Sequence, residues 1–280
     1  MILLKVAITI LAVTTLSIIA ERVSPRTAGI LSGYPLGSAI SLFFIGLEQG
    51  AQFAGASAPY NVAGMAALLT LLFVYYLTSA YIQHITQNRL WSMFAATLAA
   101  AVSFLAVDGL LHILHLPVWG AVLAAAAAIL GYNALFKDIP DSQIQEKIQL
   151  GPGVLLFRAA VAALIILATT GLAKLVPPSW AGLFSAFPAT VFPLILIIHS
   201  TYGHRQAHAI IKNSPTGLWA MVLYSVTISF AYPRAGIYWG SLLGFFNATL
   251  YLLALAYWNG RRPRIKIDPV GPEVIPGKRI

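Results

Sequence analysis

The chain has 280 residues, of which 59% are hydrophobic and only 9% are charged, and it contains no cysteine. Because soluble domains carry about 25% charged residues, this composition excludes a soluble globular domain, and it excludes a disordered chain as well. The missing cysteines exclude disulfides and thiolate metal sites, and a mean hydropathy of +0.82 in long continuous runs predicts an all-α membrane protein instead of an outer-membrane barrel.

The apolar runs predict about nine transmembrane helices, each long enough to cross a hydrocarbon core of about 30 Å. The first run resembles a signal peptide, but it is long for one and no clear A-x-A cleavage site follows, so we expect it to be retained. The segments Glu48–Tyr60 and Tyr202–Pro215 are expected to be connectors. The predicted spans are 2–20, 26–48, 60–82, 91–113, 117–136, 153–173, 179–201, 214–232 and 236–258.

The lysines and arginines are distributed unevenly between the two sides of these spans. Of the 17 basic residues, 14 fall on one side, and the 3 on the other side are Lys5, Lys174 and Arg234. Since basic residues concentrate on the cytoplasmic side, we expect a multi-pass protein of the inner (plasma) membrane, with its N-terminus outside and its C-terminus in the cytoplasm. The net charge of +9 then reflects this topology and contact with anionic lipid, chiefly at the basic tail, and it requires no nucleic-acid partner.

An internal repeat emerges when the chain is aligned with itself at an offset of 153 residues. Residues 28–35 (AGILSGYP) lie over residues 181–188 (AGLFSAFP), which share the pattern A-G-[IL]-[LF]-S-[GA]-[YF]-P. The same offset aligns further identical residues without a gap, including Gly50 with Gly203. A shared pattern of this length that contains an aromatic-proline pair indicates a duplication.

The two copies begin at the first and sixth predicted spans, so they have opposite orientations in the membrane. Inverted repeats of this kind are typical of secondary transporters. The sequence therefore predicts two inverted repeats of five plus four helices. Residues 1–136 form the first repeat, 137–152 a cytoplasmic connector, 153–258 the second repeat, and 259–280 a basic cytoplasmic tail.

Two prolines interrupt the second and seventh predicted helices at corresponding positions. Pro35 and Pro188 each lie ten residues after the proline that opens their span, or about 15 Å into the membrane. Broken helices persist in a membrane where they face protein or a cavity, so the prolines either kink packed helices or mark a substrate site. The candidate substrate-binding residues are Ser32, Gly33, Tyr34, Pro35, Ser185, Ala186, Phe187 and Pro188.

One acidic residue, Asp108, lies well inside a predicted span, where an isolated carboxyl costs about 2.5–3.5 kcal/mol. His112 and His115 follow on the same helical face, so this group can relay protons or bind a cation. Glu48 ends the second helix on the same side of the membrane. Asp108, His112 and Glu48 are the candidate coupling-ion residues. The alternatives are a shorter fourth helix that leaves the Asp108 group solvated at the interface, and a helix-capping role for Glu48.

Three further histidines, His199, His204 and His208, surround the cytoplasmic end of the seventh helix. We expect them to be solvated loop residues, because no third metal ligand accompanies the i, i+4 pair. The phosphate-binding, zinc-protease and nucleophile-elbow motifs of enzymes are missing from the sequence. We therefore expect no catalytic activity, no metal and no cofactor.

The second half, about residues 155–258, resembles the small four-span GlpM-like membrane proteins. The resemblance is carried by residues 180–184 (WAGLF), the pair Phe187-Pro188, and His199 at the end of the same helix. The first half has its own copy of the motif but carries Gly46 where His199 stands. The resemblance implies a small integral inner-membrane protein and no particular substrate.

The leading hypothesis is a secondary transporter of a small solute that works by alternating access, with proton or cation coupling through Asp108. The five-plus-four repeat is similar to that of five-plus-five inverted-repeat transporters, but it lacks their tenth span. The alternative is a non-transporting membrane scaffold or a subunit of a larger membrane complex, and a channel ranks third. The substrate, the coupling ion and assembly into a homo-oligomer stay open.

Overall fold

The computed structural model of the protein describes residues 1–22, 34–86, 88–140 and 151–260. Within these ranges the protein is all-helical. Prolines or polar caps set several helix starts: Pro152 and Pro178 stand in first turns, and the Asn88 side chain accepts a hydrogen bond from the Trp91 N–H at 3.1 Å. The helices are α1 (Ile2–Arg22), α2 (Leu36–Gln49), α3 (Ala51–Ala63), α4 (Met65–Thr86), α5 (Arg89–Leu114), α6 (Val118–Leu135), α7 (Pro152–Leu172), α8 (Pro178–Ser185), α9 (Val191–Tyr202) and α10 (His204–Gly260).

Five helical segments of the described chain are long and apolar enough to cross a membrane: Met65–Thr86, Arg89–Leu114, Val118–Asp138, Gly153–Leu172 and His204–Trp258. Their outer faces are apolar and exposed, as Leu98, Val102 and Leu105 of α5 illustrate. Such faces suit lipid, since a helix satisfies its own backbone hydrogen bonds. The protein is therefore an all-helical membrane protein, as the composition predicts.

The interruption predicted at Pro188 is present. α8 ends at Ser185 and α9 begins at Val191, so the predicted span 179–201 consists of two helices. In the predicted span 26–48, helix α2 begins at Leu36, directly after Pro35, and the first residues of that span lie outside the described ranges. Pro188 therefore lies within a break, and Pro35 directly precedes a helix start, where the missing N–H costs no helical hydrogen bond. The two proline positions are called the breaks below.

The two predicted connectors are helical, which corrects the expectation of loops. After Gly50, α3 begins at Ala51, and after Gly203, α10 begins at His204. Gly50 has a φ of 94° and Gly203 a φ of 102°, a conformation that side chains disfavour. A single glycine in this conformation redirects the chain, so no loop is needed between the helices.

Helix α10 contains a sharp kink at Gly236, where φ is 77°. The arms 204–235 and 237–260 run antiparallel, since the Tyr232 hydroxyl lies 2.8 Å from Ser241 Oγ and Tyr251 bonds the Thr216 carbonyl at 3.0 Å. The arms therefore correspond to the two predicted spans 214–232 and 236–258.

Polar contacts define two ends of the molecule. At the Glu48 end, the C-terminus of α2 meets the N-terminus of α1 and Lys174, which follows α7. At the Arg89 end, Arg89 at the start of α5 donates to the Thr201 carbonyl near the end of α9, at 3.5 Å. These two names are used below.

Candidate functional site

The two helix breaks meet inside the molecule. A Cβ atom built on Gly37, in the first turn of α2, would lie 3.5 Å from the Ala189 Cβ and 3.6 Å from the Ala189 N, just before α9. The N-termini of α2 and α9 therefore converge on one point. Helix N-termini present unbonded N–H groups and a partial positive charge, so this point is polar although apolar helices surround it.

The backbone at the two breaks has the same hydrogen-bond pattern. In each, the residue after the proline donates its N–H to the carbonyl of the aromatic residue before the proline. The residue four positions after the proline donates its N–H to the proline carbonyl. The four bonds are Leu36 N–H to Tyr34 O at 2.7 Å, Ala39 N–H to Pro35 O at 2.7 Å, Ala189 N–H to Phe187 O at 2.7 Å, and Phe192 N–H to Pro188 O at 2.9 Å. The corresponding residues are 153 positions apart in the sequence.

A network of buried polar side chains lies beside the breaks and joins four helices. Asn61 of α3 donates from Nδ2 to Ser185 Oγ at 2.8 Å, and its Oδ1 accepts from Ser225 Oγ of α10 at 2.7 Å. Ser185 donates to the Gly182 carbonyl at 2.6 Å, and Ser38 of α2 donates to the Ser185 carbonyl at 3.0 Å. The described Asn61, Ser185 and Ser225 hydroxyl and amide groups thus satisfy one another, which makes the cluster favourable in a low-dielectric interior.

A small cavity of about 10 Å³, room for about one water molecule, adjoins this network. Ser38 of α2, the segment 187–191 and Ser214 of α10 contribute to its wall, together with leucines of α4 and α10. Phe187 and Pro188, two of the predicted substrate residues, line it directly. The cavity therefore lies where the two breaks and the polar network come together.

The other predicted substrate residues have different positions. Ala186 packs so closely on α3–α4 that a Cβ on Gly64 would lie 2.5 Å from its Cβ, and Pro35 precedes α2. Tyr34 bonds Thr249 at 3.0 Å between hydroxyls and stacks on Phe245, so it contacts the last arm of α10 and not the cavity. Ser32 and Gly33 lie outside the described residues.

Sequence reasoning missed Asn61, Ser38, Ser214 and Ser225. The one available sign of this site in the sequence was the amide side chain of Asn61, near the start of a predicted span. The serines are too frequent in membrane helices to be singled out, because each can bond its own helix.

The structure also explains the glycine of the repeated motif in its second copy. A Cβ built on Gly182 would collide with the Ser57 carbonyl of α3 and lie 2.8 Å from the Tyr60 Cβ. Small residues at such crossings allow helix backbones to approach closely in membranes. Gly182 thus holds α8 against α3 and brings Ser185, one turn later, within reach of Asn61.

Asp108 lies in the interior, on the face of α5 that packs toward α8 and the break. Its side chain has no exposed surface, and neither carboxylate oxygen has a hydrogen-bond partner among the described residues. His112, one turn later, stacks on Trp180 of α8 with ring centroids 4.8 Å apart. The alternative of a solvated group therefore applies to His115 alone, which is exposed at the C-terminus of α5.

Glu48, the third predicted coupling residue, has partners of a different kind. Its Oε2 lies 2.8 Å from the Lys5 Nζ and 3.4 Å from the Lys174 Nζ, and Lys5 also donates to Thr170 Oγ1 at 2.7 Å. The pairing joins α1, α2 and the end of α7. The sequence suggested a capping or an ion-binding role for Glu48, and it did not indicate the pairing with Lys5.

The expectation of solvated loop histidines is wrong for His199 and His208. Both are buried, in α9 and α10, because the predicted connector is helical and packs on α4. His199 Nδ1 lies 2.7 Å from the Tyr75 hydroxyl, and His208 Nε2 lies 2.7 Å from Ser79 Oγ. No group of three His, Cys, Asp or Glu suited to a metal ion occurs in the described part of the chain.

Comparison with known proteins yields no match: no family model fits the chain, and neither curated proteins nor solved structures show significant similarity to it. The resemblance of residues 180–188 to GlpM-like proteins stays a prediction.

Proposed function

We propose that the protein is a secondary transporter of a small polar solute, with its binding site where the two helix breaks meet. The observation that carries this proposal is the close approach of Gly37 and Ala189, which brings the start of α2 and the break between α8 and α9 together beside a buried polar network and a cavity. In membrane proteins, broken helices persist where they are buried in protein or line a cavity, and secondary transporters use such points to bind substrate.

An inverted repeat is part of the proposal, and several matched features support it. Gly50 and Gly203 have the same rare backbone conformation, and the two breaks share their hydrogen-bond pattern. Lys5 of α1 and Arg158 of α7 are also 153 residues apart, and both are buried. Because charged side chains are rare inside apolar helices, buried cations at corresponding positions are strong support for a duplication.

Taken as nine crossings in a five-plus-four arrangement, the helices pass between the Glu48 end and the Arg89 end. From the distribution of basic residues we propose that the protein lies in the plasma membrane, with the Glu48 end facing outward and the Arg89 end facing the cytoplasm. The cavity of about 10 Å³ is too small for a solute larger than water. Transport therefore requires the site to enlarge and to open in turn to each end.

Cysteine accessibility tests this proposal without knowledge of the solute, because the natural chain has no cysteine. Ser38→Cys and Ser214→Cys place single thiols on the cavity wall, and Ala125→Cys places one in the closely packed interior of α6 as a matched buried control. Right-side-out and inside-out vesicles are treated with a membrane-impermeant thiol reagent.

Alternating access predicts that both cavity thiols react from either side, while the Ala125→Cys thiol reacts from neither. A scaffold or a subunit without transport activity would leave the cavity thiols unreactive from both sides, which would end the proposal. A channel would in addition conduct ions across a planar bilayer without any solute. Solute uptake that survives Pro35→Ala combined with Pro188→Ala would remove the breaks from the mechanism.

A further inference from the structure

Several polar atoms that the structure buries without a partner among the described residues are titratable. The Tyr224 hydroxyl is one of them, and the acidic and histidine atoms form two groups. Toward the Glu48 end are both carboxylate oxygens of Asp108 and Nδ1 of His112, and toward the Arg89 end is Nε2 of His199. Buried polar atoms almost always have partners, so unpartnered ones require an explanation. The polar network at Asn61 and the ion pairs at Glu48 use neither group.

The surroundings of Asp108 suit a proton better than a metal cation. A metal ion requires several oxygen or nitrogen ligands around it, and no group of three His, Cys, Asp or Glu side chains suited to one occurs among the described residues. Coordination by carbonyl and hydroxyl oxygens is tested below by replacing sodium. The charged and titratable neighbour of Asp108 is His112 on its own helix, and facing them on α8 is Trp180, which does not titrate. A proton requires only the carboxylate itself, which then becomes a neutral group that the interior accepts readily.

Aromatic rings separate the two groups at the level of the helix break. Phe104, one turn before Asp108, lies 5.2 Å from Phe187 between ring centroids, and Phe187 lies 5.7 Å from Phe192. Phe192 in turn lies 6.0 Å from Tyr75, whose hydroxyl bonds His199. These rings form a continuous chain of contacts from the turn before Asp108 to Tyr75, the partner of His199. We therefore expect a proton to pass between the two groups only after a change of conformation.

Near the Arg89 end, the partly exposed His204 lies between two buried histidines, His199 and His208. The His199 and His204 rings are 6.4 Å apart and the His204 and His208 rings 5.3 Å apart, and His204 is partly exposed. The groups that face them are Tyr75, Tyr76 and Ser79 of α4, with Arg89 of α5 beside Gly203 and Arg205 next to His204. Because His204 is partly exposed, a proton that reaches it can pass on to water.

We propose that the ion coupled to transport is a proton, which binds Asp108 from the Glu48 end and leaves through His199 and then His204 at the Arg89 end, with His208 beside His204. A hydronium ion gives its proton to an Asp108 carboxylate oxygen and becomes water. After the conformational change, the proton passes to an imidazole nitrogen, and water at His204 takes it up as hydronium. This inference rests on the proposed transport function and names its coupling ion.

The test measures how protons shift the opening of the cavity, with the full chain in vesicles. The probe is the reaction rate of the Ser214→Cys thiol from each side between about pH 5 and pH 8, the range in which histidine titrates. Because the thiolate is the reacting form and its fraction rises with pH, each rate is divided by that of free cysteine with the same reagent at the same pH, and this ratio is called the rate below. We expect the rate to change at least about 5-fold, the lower end of coupling between two sites. Replacing sodium by potassium at constant pH is expected to leave it unchanged.

Matched variants assign the effect to residues. Asp108→Asn is expected to abolish the response to pH on the Glu48 side, and Asp108→Glu to keep it. His199→Gln is expected to abolish the response to pH on the Arg89 side. Asp138→Asn and His84→Gln alter exposed residues outside both groups and are expected to respond as the parent does. Size-exclusion profiles of all variants in detergent show whether each is folded.

The outcomes separate this inference from the transport proposal. Thiols that react from neither side contradict transport itself. Thiols that react from both sides at rates independent of pH contradict the proton and leave transport standing. A response to sodium in place of pH, or a pH response that survives in folded Asp108→Asn and His199→Gln, likewise overturns the inference.

Discussion

Glu48 and Asp108 are two acidic residues of the same half of the molecule, and the structure treats them in opposite ways. Glu48 lies 2.8 Å from Lys5 and 3.4 Å from Lys174, so its charge is neutralised where three helices meet. Asp108 is fully buried, and in the described part of the chain neither of its oxygens has a partner. The difference teaches that the paired Glu48 joins helices, whereas Asp108 makes no such contact among the described residues and is therefore a candidate for a functional role.

The largest expected effect tests the structural side of this comparison. Glu48→Gln leaves the buried Lys5 ammonium without a counter-ion, and removing one partner of a buried pair costs about 3–5 kcal/mol. The free energy of unfolding, from denaturation in mixed micelles, measures it. Lys174→Gln is the control, because Lys174 is 51% exposed and an exposed pair contributes about 0–1 kcal/mol. Equal losses in both variants would contradict the structural role of the Lys5 pair.

A smaller loss is expected when a neutral group with partners is removed. Asn61→Ala leaves Ser225 without its acceptor and Ser185 without its donor in a buried position, which costs about 1–3 kcal/mol. Asn133→Ala removes an exposed amide of α6 and is expected to change the same unfolding free energy by less than about 0.5 kcal/mol. If the two asparagine variants proved equally stable, the network would not hold the breaks in place.

Removing both partners sharpens the comparison further. The double variant Lys5→Met with Glu48→Leu exchanges the ion pair for apolar side chains, and such exchanges are often neutral or stabilising. We expect the double variant to lie within about 1 kcal/mol of the parent, well above Glu48→Gln alone. A double-mutant cycle on the same denaturation assay measures the coupling, and additive losses would show that the two residues do not act as a pair.

The smallest effect on stability is expected at Asp108, although its effect on function is expected to be the largest. Asp108→Asn keeps the shape and removes a charge that has no partner, so the unfolding free energy is expected to stay the same or to rise slightly. Solute-driven or proton-driven opening of the cavity is expected to disappear. A stability loss as large as that of Glu48→Gln would show that Asp108 has a structural partner, and the comparison with Glu48 would fail.

Local properties of the chain were sufficient to predict the helices and the interruption at Pro188. The hydropathy of twenty-residue windows and the missing N–H of proline act within a turn or two, so their effects can be read before the chain folds. The two connectors were assigned wrongly because Gly50 and Gly203 replace whole loops with single positive-φ residues. Sequence indicates that a glycine can adopt this conformation, but it does not indicate that the following polar segment continues as a helix.

The candidate site depended on contacts between residues far apart in the chain, and only the tertiary structure decided these. Asn61, Ser185 and Ser225 belong to three helices, and Lys5 meets Glu48 across two. The burial of His199 and the separation of Asp108 from Glu48 likewise follow from how helices pack. The sequence by itself therefore determined the class of protein, its long apolar helices and the interruption at Pro188, since these depend on local backbone chemistry. Packing determined which polar groups acquire partners, because partnership depends on distances that no local pattern contains.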